Sequence, residues 1–570
     1  MSNSTRPAPE PATGQPQAPG ILRRDFFHAS GAVGALALAG GVLSPAALAG
    51  HGGGGSPGRA ASQTARPAWL VSADSAPSQA DWRALRRALS THKLLRPGQS
   101  GYNFAKELFS PQFDSLKPSG VAYCKTAADV SACLSFVTKF SLPVRMRSGG
   151  HSYGGWSSVT NGLILDVSEM TSMSFSGNTV TVGAGMDLID FYAGLAAKGK
   201  AVPGGSCPTV GIAGLALGGG IGVLARIYGL TSDNLRSVDI ITADGVKRTC
   251  DSSHNAALYW ASRGGGGGNF GVATSFTFAT HNLSSLMVFF LSWPWSHATR
   301  VVRAWQSWAP HGPDALWSNL HLSAPFGSGS PSISVAGTFV GSAAAAQRQL
   351  DELFSKVGSG PSVHTLTRHS YLSAMLLEAG CSAVEGCDTP PGGHLQRGPF
   401  FAKSDFFNKP FSSAGIKALL HGIERLRGIR GATPGVSAGS IAFDALGGAV
   451  NRFKPDETAF VHRNMLFDAQ YFTGWTWPGT AAGRANQFNW ITAYHKAVHP
   501  FASGQAYQNY PDPTLANWQQ AYYAGNYPQL QQVKAAYDPH DLFRFPQAIQ
   551  LPALARCGSA DGAGGALPDC

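Results

Sequence analysis

The chain has 570 residues, 44% of them hydrophobic and only 13% charged, with a formal net charge of +11. That length exceeds one small domain, and the composition suits a large buried core. The positive charge is dispersed, without a Lys/Arg block or aromatic–basic interleaving, so no nucleic-acid partner is expected.

The first elements read as an address. Residues 1–20 are rich in Pro, Ala and Gln, a composition that does not order easily. Arg23 and Arg24 then precede a weakly apolar segment ending in "ALA" at Ala49. The pattern predicts a twin-arginine signal over 1–49, cleaved after Ala49, with the twin-arginine export machinery as partner and secretion as the outcome. The apolar part is too short and too Gly/Ala-rich for a stable membrane span. The Gly/Ser-rich composition of residues 50–75 predicts a flexible linker. The eight cysteines suit an oxidising compartment. Cys381 and Cys387 can pair locally and Cys557 and Cys570 can staple the tail, while Cys124, Cys133 and Cys250 stay unassigned.

A first domain is expected over 76–283. "SQADWRALRRALSTH" predicts a helix with Ser78 at its N-cap. "VAYCK" reads as a strand, and "TAADVSACLSFVTKF" as a helix capped by Thr126. Val130, Cys133, Leu134 and Val137 recur there at i, i+3, i+4 and i+7. "LPVRMR" is the next strand, so a strand–helix–strand unit delivers His151 into the glycine-rich loop "RSGGHSYGG". Further strands are read at "GLILDVSEM" and "NTVTVGAGM", with a helix at "LIDFYAGLAAKG". The segments "GLALGGGIG" and "RGGGGGNFG" lack the strand–helix context and downstream acid of a nicotinamide site. Their bare backbone can instead cradle a pyrophosphate. A second domain is expected over 284–503, where strands such as "SISVAGTFVG" mix with helices such as "SAAAAQRQLDELFSKV". An antiparallel sheet backed by helices makes the fold class α+β. Residues 504–550 carry helices at "TLANWQQAYYAG" and "YPQLQQVKAAYD", and 551–570 are a tail.

Jointly, "RSGGHSYGG", "GSCPTVGIAGLALGGGIG", "YGLTSDNL", "RGGGGGNFG" and "YQNY…YYAGNY…VKAAYDPHDLFRF" resemble the berberine bridge enzyme-like flavin oxidases, within the vanillyl-alcohol oxidase/p-cresol methylhydroxylase fold. The resemblance runs from about Tyr102 to Ala548. It implies a two-part FAD-binding domain of the p-cresol methylhydroxylase type over 76–283, a substrate domain over 284–503, and a C-terminal segment over 504–550 that returns to the FAD domain. It implies FAD held bicovalently, through His151 and Cys207. Other cofactor contacts implied are Arg147, Ser148, Gly149, Gly150 and Ser152 in the histidine loop, and Val210, Gly211, Gly214, Gly219, Gly220 and Gly222 after the cysteine. Asp233, Asn269, Phe270, Gly271, Val272 and Asn509 complete that set.

An imidazole on a glycine turn is exposed to a ligand, and a cysteine without a local partner reads as a reactive thiol. The resemblance implies hydride transfer to flavin N5 while a base takes the hydroxyl proton. Tyr507 is the expected base, with Tyr510 as its alternative. To act near neutral pH its phenol needs neighbouring positive charge or hydrogen bonds that lower its pKa. Gln470 is expected to face flavin or substrate, with Tyr153 beside the histidyl link. Val210 is the valine of family oxidases, pointing to O2 as acceptor and H2O2 as product. No metal is expected. The chain departs from the family at Gly154 and Ala257, where acids are common. The expected activity is oxidation of an alcohol, with sugar or oligosaccharide C1 hydroxyls first because Tyr471, Trp475 and Trp477 can stack on sugar faces. The alternatives are a secondary-metabolite tailoring oxidase or dehydrogenase, and a non-catalytic flavin-binding protein.

Overall fold

The structure, a computed structural model, describes residues 76–325, 330–389, 392–426, 437–475 and 477–553. The twin-arginine segment, the linker, Cys557 and Cys570 lie outside the described residues. The helix expected after Ser78 spans Gln79–Ala88, and Ser78 and Asp81 form a reciprocal capping box. The helix Ala127–Lys139 starts the same way, with Thr126 and Asp129 as its box. Val130, Cys133, Leu134 and Val137 are all buried beneath it, as their spacing requires.

That helix joins strands of a first sheet made of β1 (Leu94–Leu95), β2 (Gly120–Tyr123), β3 (Val144–Arg147) and β4 (Leu163–Asp166), in the order β1-β2-β4-β3. β2 and β3 both run parallel to β4. β3 ends at Arg147, so the chain enters the histidine loop directly from a buried strand.

A second, antiparallel sheet contains β5 (Met173–Ser176) and β6 (Thr179–Gly183). Beyond β7 (Lys200–Ala201), it adds β8 (Leu235–Ile241), β9 (Lys247–Cys250) and β10 (Val272–Ala279), in the order β5-β6-β10-β8-β9. β7 pairs with β11 (His281–Asn282) as a short ribbon.

The third sheet is antiparallel and seven-stranded. Its strands are β12 (Ser285–Trp293), β13 (Leu316–Pro325), β14 (Ser332–Phe339), β15 (Val363–Ser370), β16 (Phe400–Phe407), β17 (Ser437–Ala445) and β18 (Phe467–Gly474), ordered β15-β12-β14-β13-β17-β18-β16. Alternation divides its residues between two faces. Leu320, Ile441, Phe443 and Tyr471 join a core with Trp305, Leu350, Leu419 and Trp490 from four covering helices. Asn319, Asp444, Asp468 and Gln470 take the opposite parity. Register sets Asn319 against Asp444, Asp444 against Asp468, and Gln470 against Ser404. Mixed helices and antiparallel sheets bear out the α+β class.

The parity also corrects an expectation. Tyr471 is fully buried on the helix side, and Trp475 packs on Phe401 at 4.6 Å. Neither reaches the cavity described below, and Trp477 is exposed elsewhere.

Buried ion pairs pin the parts together. Arg463, after β17, holds Asp233 of the first half at 2.6 Å, and both side chains are almost completely buried. Lys403 of β16 holds Asp512 at 2.7 Å. The fully buried Lys534 pairs with Asp538 at 2.7 Å and also donates to the Asn269 carbonyl at 3.0 Å, docking the C-terminal segment on the first half. Cys381 and Cys387 form the expected local disulfide, and Cys124, Cys133, Cys207 and Cys250 are free thiols. No described helix is long and apolar enough to cross a membrane. Arg463→Met would leave Asp233 buried and unpaired, with an expected loss of about 3–5 kcal/mol in chemical denaturation. A loss below about 1 kcal/mol would show the pair to be a surface-like contact.

Candidate active site

The histidine loop and the cysteine loop meet backbone to backbone. A Cβ on Gly149 would lie 2.3 Å from the Gly211 nitrogen, and one on Gly211 would lie 2.4 Å from the Gly149 nitrogen. Only glycine fits at either position. This contact places His151 and Cys207 on the wall of one cavity, which runs between the two halves of the chain.

His151 Nε2 lies 2.8 Å from the Thr209 hydroxyl, and Phe109 stacks on its ring at 4.1 Å. Burial pushes its pKa down to about 3, so the imidazole is neutral and keeps a lone pair. Cys207 lacks a disulfide partner, but burial pushes its thiol up to about 12. The reactive thiol expected from the sequence is therefore not what the protein alone provides. Activation of the sulfur falls to an electrophile that fills the cavity.

The cavity fits a flavin dinucleotide on the protein's own features. The backbone N–H groups of Gly149, Gly150, His151 and Ser152 find no acceptor among the described residues, and Gly150 has φ +70°. Such a turn of free amides is an anion cradle. Across from it, a Cβ on Gly214 would meet nothing within 4 Å, so that backbone is open to close approach. Val210, Gly222, Asn269, Gly271, Val272 and Asn509 line the same space.

The remaining expected contacts act differently. The Arg147 guanidinium is committed to Asp166 and to the carbonyls of Ala105 and Glu107. Ser148 donates to the Ala184 carbonyl at 2.8 Å, and Ser152 accepts from the Trp156 N–H at 3.1 Å. All three line the cavity with these side-chain atoms committed to protein partners.

Four residues are corrected outright. Asp233, Gly219, Gly220 and Phe270 do not line it. Asp233 is occupied by Arg463, Gly219 (φ +126°) sits under Phe460, and Phe270 packs in the first domain's core. Gly220 donates its N–H to the Tyr507 hydroxyl at 2.8 Å. At the Gly154 departure, a Cβ would lie 2.4 Å from the Trp156 indole, so this chain has no room for a side chain there.

Tyr153, Gln470, Tyr507 and Tyr510 gather at one end of the cavity. Gln470 Nε2 donates to the Tyr153 hydroxyl at 2.6 Å. Tyr153 stacks on Tyr510 at 5.4 Å, and Tyr510 meets the edge of Tyr507 at 4.9 Å. The Tyr507 oxygen also accepts from Asn509 Nδ2 at 3.0 Å. Two N–H donors use both its lone pairs, leaving its own proton free to donate. The hydrogen bonds expected around this phenol are present, but among the described residues no positive charge acts on it. Burial outweighs the hydrogen bonds and raises its pKa.

Sequence reasoning missed the acids of this end. Asp444 and Glu378 line the cavity, and Asp468 sits beside Asp444 on the neighbouring strand. Burial raises all three carboxyls: Glu378 to about 8, and the facing Asp444 and Asp468 together above the carboxylate range. Asn319 and His321 line the wall beside them. A period-2 reading of "SIAFDALGG" and "LFDAQYF" carries the signal, because Asp444, Asp468 and Gln470 share the parity opposite the apolar residues.

A family model described as "FAD binding domain" matches residues 118–251, and one described as "Berberine and berberine like" matches 506–550. The Bacillus subtilis (strain 168) uncharacterized FAD-linked oxidoreductase YgaK is 33% identical over 472 residues, covering 82% of this chain and 98% of that protein. Chitooligosaccharide oxidase of Gibberella zeae is 27% identical, covering 77% of this chain and 88% of that one. Among solved structures, Physcomitrella patens BBE-like 1 superposes with TM-score 0.73 at 29% identity, covering 82% of this chain and 99% of that one.

Gly149→Ala is expected to force the two loops apart. Purified Gly149→Ala should therefore lose most of the visible flavin absorbance per chain. Full flavin content in this variant would contradict the close approach.

Proposed function

Because the chain belongs to the berberine bridge enzyme-like family of FAD-linked oxidoreductases, we propose that it is an exported oxidase holding FAD bicovalently through His151 and Cys207 and oxidising an alcohol of a sugar-like substrate, with O2 reduced to H2O2. The chain is an FAD-dependent oxidoreductase; the attachment, the acceptor, the substrate and the export are the proposal. The observation that carries it is the convergence of a neutral imidazole and a free thiol on a cavity that ends in a polar, acid-bearing sheet face.

Bound there, FAD supplies the hydride acceptor and the route for the electron pair to oxygen. The protein's part is orientation and proton transfer. Asn319, His321, Glu378 and Gln470 give that end several hydrogen-bonding groups, suited to a substrate with several hydroxyls. This support replaces the aromatic stacking expected from Tyr471 and Trp475. The relatedness to a chitooligosaccharide oxidase favours the same substrate class.

Asp444 is the proton acceptor. Burial raises its carboxyl toward the operating range, where a general base works best. Tyr507, with both lone pairs filled, donates its proton to the substrate oxygen and orients it. A second reading keeps Tyr507 as the base. It is favoured by the two N–H donors, which would also stabilise a phenolate. Val210 lines the cavity two residues after Pro208 of the cysteine loop, and its short side chain would let oxygen approach a bound flavin.

Three outcomes follow. After acid precipitation, His151→Ala and Cys207→Ala should each keep a yellow pellet, and only the double variant should release all colour. A colourless pellet from either single variant would contradict two tethers. Asp444→Asn should slow anaerobic flavin reduction by sugars about 10²–10⁴-fold, while Tyr507→Phe acts mainly on KM. Reduction should slow as pH falls and Asp444 takes up its proton, and this dependence should disappear in Asp444→Asn. Near wild-type reduction in Asp444→Asn with its loss in Tyr507→Phe would favour the second reading. Finally, Val210→Leu should leave reduction intact and slow reoxidation in air; unchanged reoxidation would remove Val210 from the oxygen path.

A further inference from the structure

Behind the seven-stranded sheet, on the side away from the flavin cavity, Asp405 of β16 buries a carboxylate against the end of the helix Ala481–Val498. The residue is only 1% exposed. Among the described residues its ion-pair partners are two imidazoles: His495 Nε2 at 3.2 Å and His499 Nδ1 at 2.6 Å. The Tyr471 hydroxyl donates to the same carboxylate at 2.9 Å. His495 lies in the last turn of the helix and His499 just beyond it, an i, i+4 pair presented on one side. One ligand atom from each of the three residues lies within 4.8 Å of the others.

We propose that Asp405, His495 and His499 bind one divalent transition-metal ion of the zinc class, with three protein ligands and a fourth position open to solvent. Imidazole nitrogen and carboxylate oxygen are the donors such borderline ions take, at about 2.0–2.2 Å in tetrahedral geometry. Those bond lengths place ligand atoms roughly 3.3 Å apart. His495 Nε2 already lies at this separation from Asp405 Oδ2, while His499 Nδ1 sits against the other oxygen, Oδ1. A shift of the His499 ring brings its Nδ1 to the ion, all three ligand atoms starting within 4.8 Å of one another. The His499 side chain is 44% exposed, so the site opens to solvent on that side, where a water ligand can reach the ion.

Without metal, imidazole protons bridge to the carboxylate. Metal entry replaces these bridges with bonds from the Nε2 lone pair of His495 and the Nδ1 lone pair of His499. The His499 proton then sits on its exposed Nε2, and any second imidazole proton leaves to solvent. Tyr471 keeps its hydrogen bond to the carboxylate and orients it, the usual support for a ligating acid. The ion would clamp the helix to β16 and β18 where the chain turns toward Tyr507. Ser404, next to Asp405, accepts the Tyr507 N–H at 3.0 Å on the opposite face. The site is structural and separate from the flavin chemistry.

The test uses untagged, flavin-loaded full-length protein stripped with chelator, dialysed, and titrated with zinc chloride by calorimetry. One zinc per chain is expected, with a raised thermal midpoint. His499→Gln should weaken that binding at least about 10–100-fold. The His495→Gln/His499→Gln double variant should lose both the zinc equivalent and the thermal shift, while its flavin absorbance stays normal. Wild-type protein that takes up no more zinc than the double variant would overturn the proposal. So would a double variant that keeps its equivalent of zinc.

Discussion

Everything at this site depends on two loops touching without side chains between them. Gly149 and Gly211 bring their backbones so close that a single methyl group on either would collide with the other loop's nitrogen. That contact puts a histidine in the loop after β3 and a cysteine much later in the chain on one wall. It also leaves the amides of Gly149 to Ser152, unpaired among the described residues, on the cavity wall. The glycines here have a steric role at two positions and an electrostatic one at the others.

The opposite wall follows from a different constraint, the two-residue period of β-strands. The same strands that bury Ile441, Phe443 and Tyr471 against helices must present Asp444, Asp468 and Gln470 to the other side. The raised carboxyls of Asp444 and Asp468 on that face, and of Glu378 on the helix Tyr371–Ala379, cost stability as pH rises. Their folded-state pKa values exceed unfolded ones, so stabilisation is lost as pH climbs through the raised values. The buried ion pairs Arg463–Asp233 and Lys403–Asp512 hold this wall against the flavin half and the C-terminal segment. Chemistry and architecture thus use separate charges.

Much of this was legible in the sequence where local rules operate. The caps at Ser78 and Thr126, the helical face of Val130 to Val137 and the Cys381–Cys387 pair depend on residues close in the chain. The gathering of His151, Cys207, Tyr153, Gln470, Tyr507 and Tyr510 was legible through motif resemblance. Asp233 was misread because its motif neighbours the site while its carboxylate answers to Arg463, a partner 230 residues away. Tyr471 and Trp475 were misread because aromatic character says nothing of which sheet face a residue occupies. Asp444 escaped notice because a lone acid in an apolar segment gains meaning only when strands pair, and Glu378 because its helix Tyr371–Ala379 meets the cavity only in the folded chain.

The account's central claim is that one flavin joins the two loops through two bonds. Proteolysis of the purified protein followed by mass spectrometry reads this directly. The account predicts one species in which the His151 peptide and the Cys207 peptide are linked together through a single flavin. Recovery of both peptides at their unmodified masses, or of flavin on one of them alone, would contradict it.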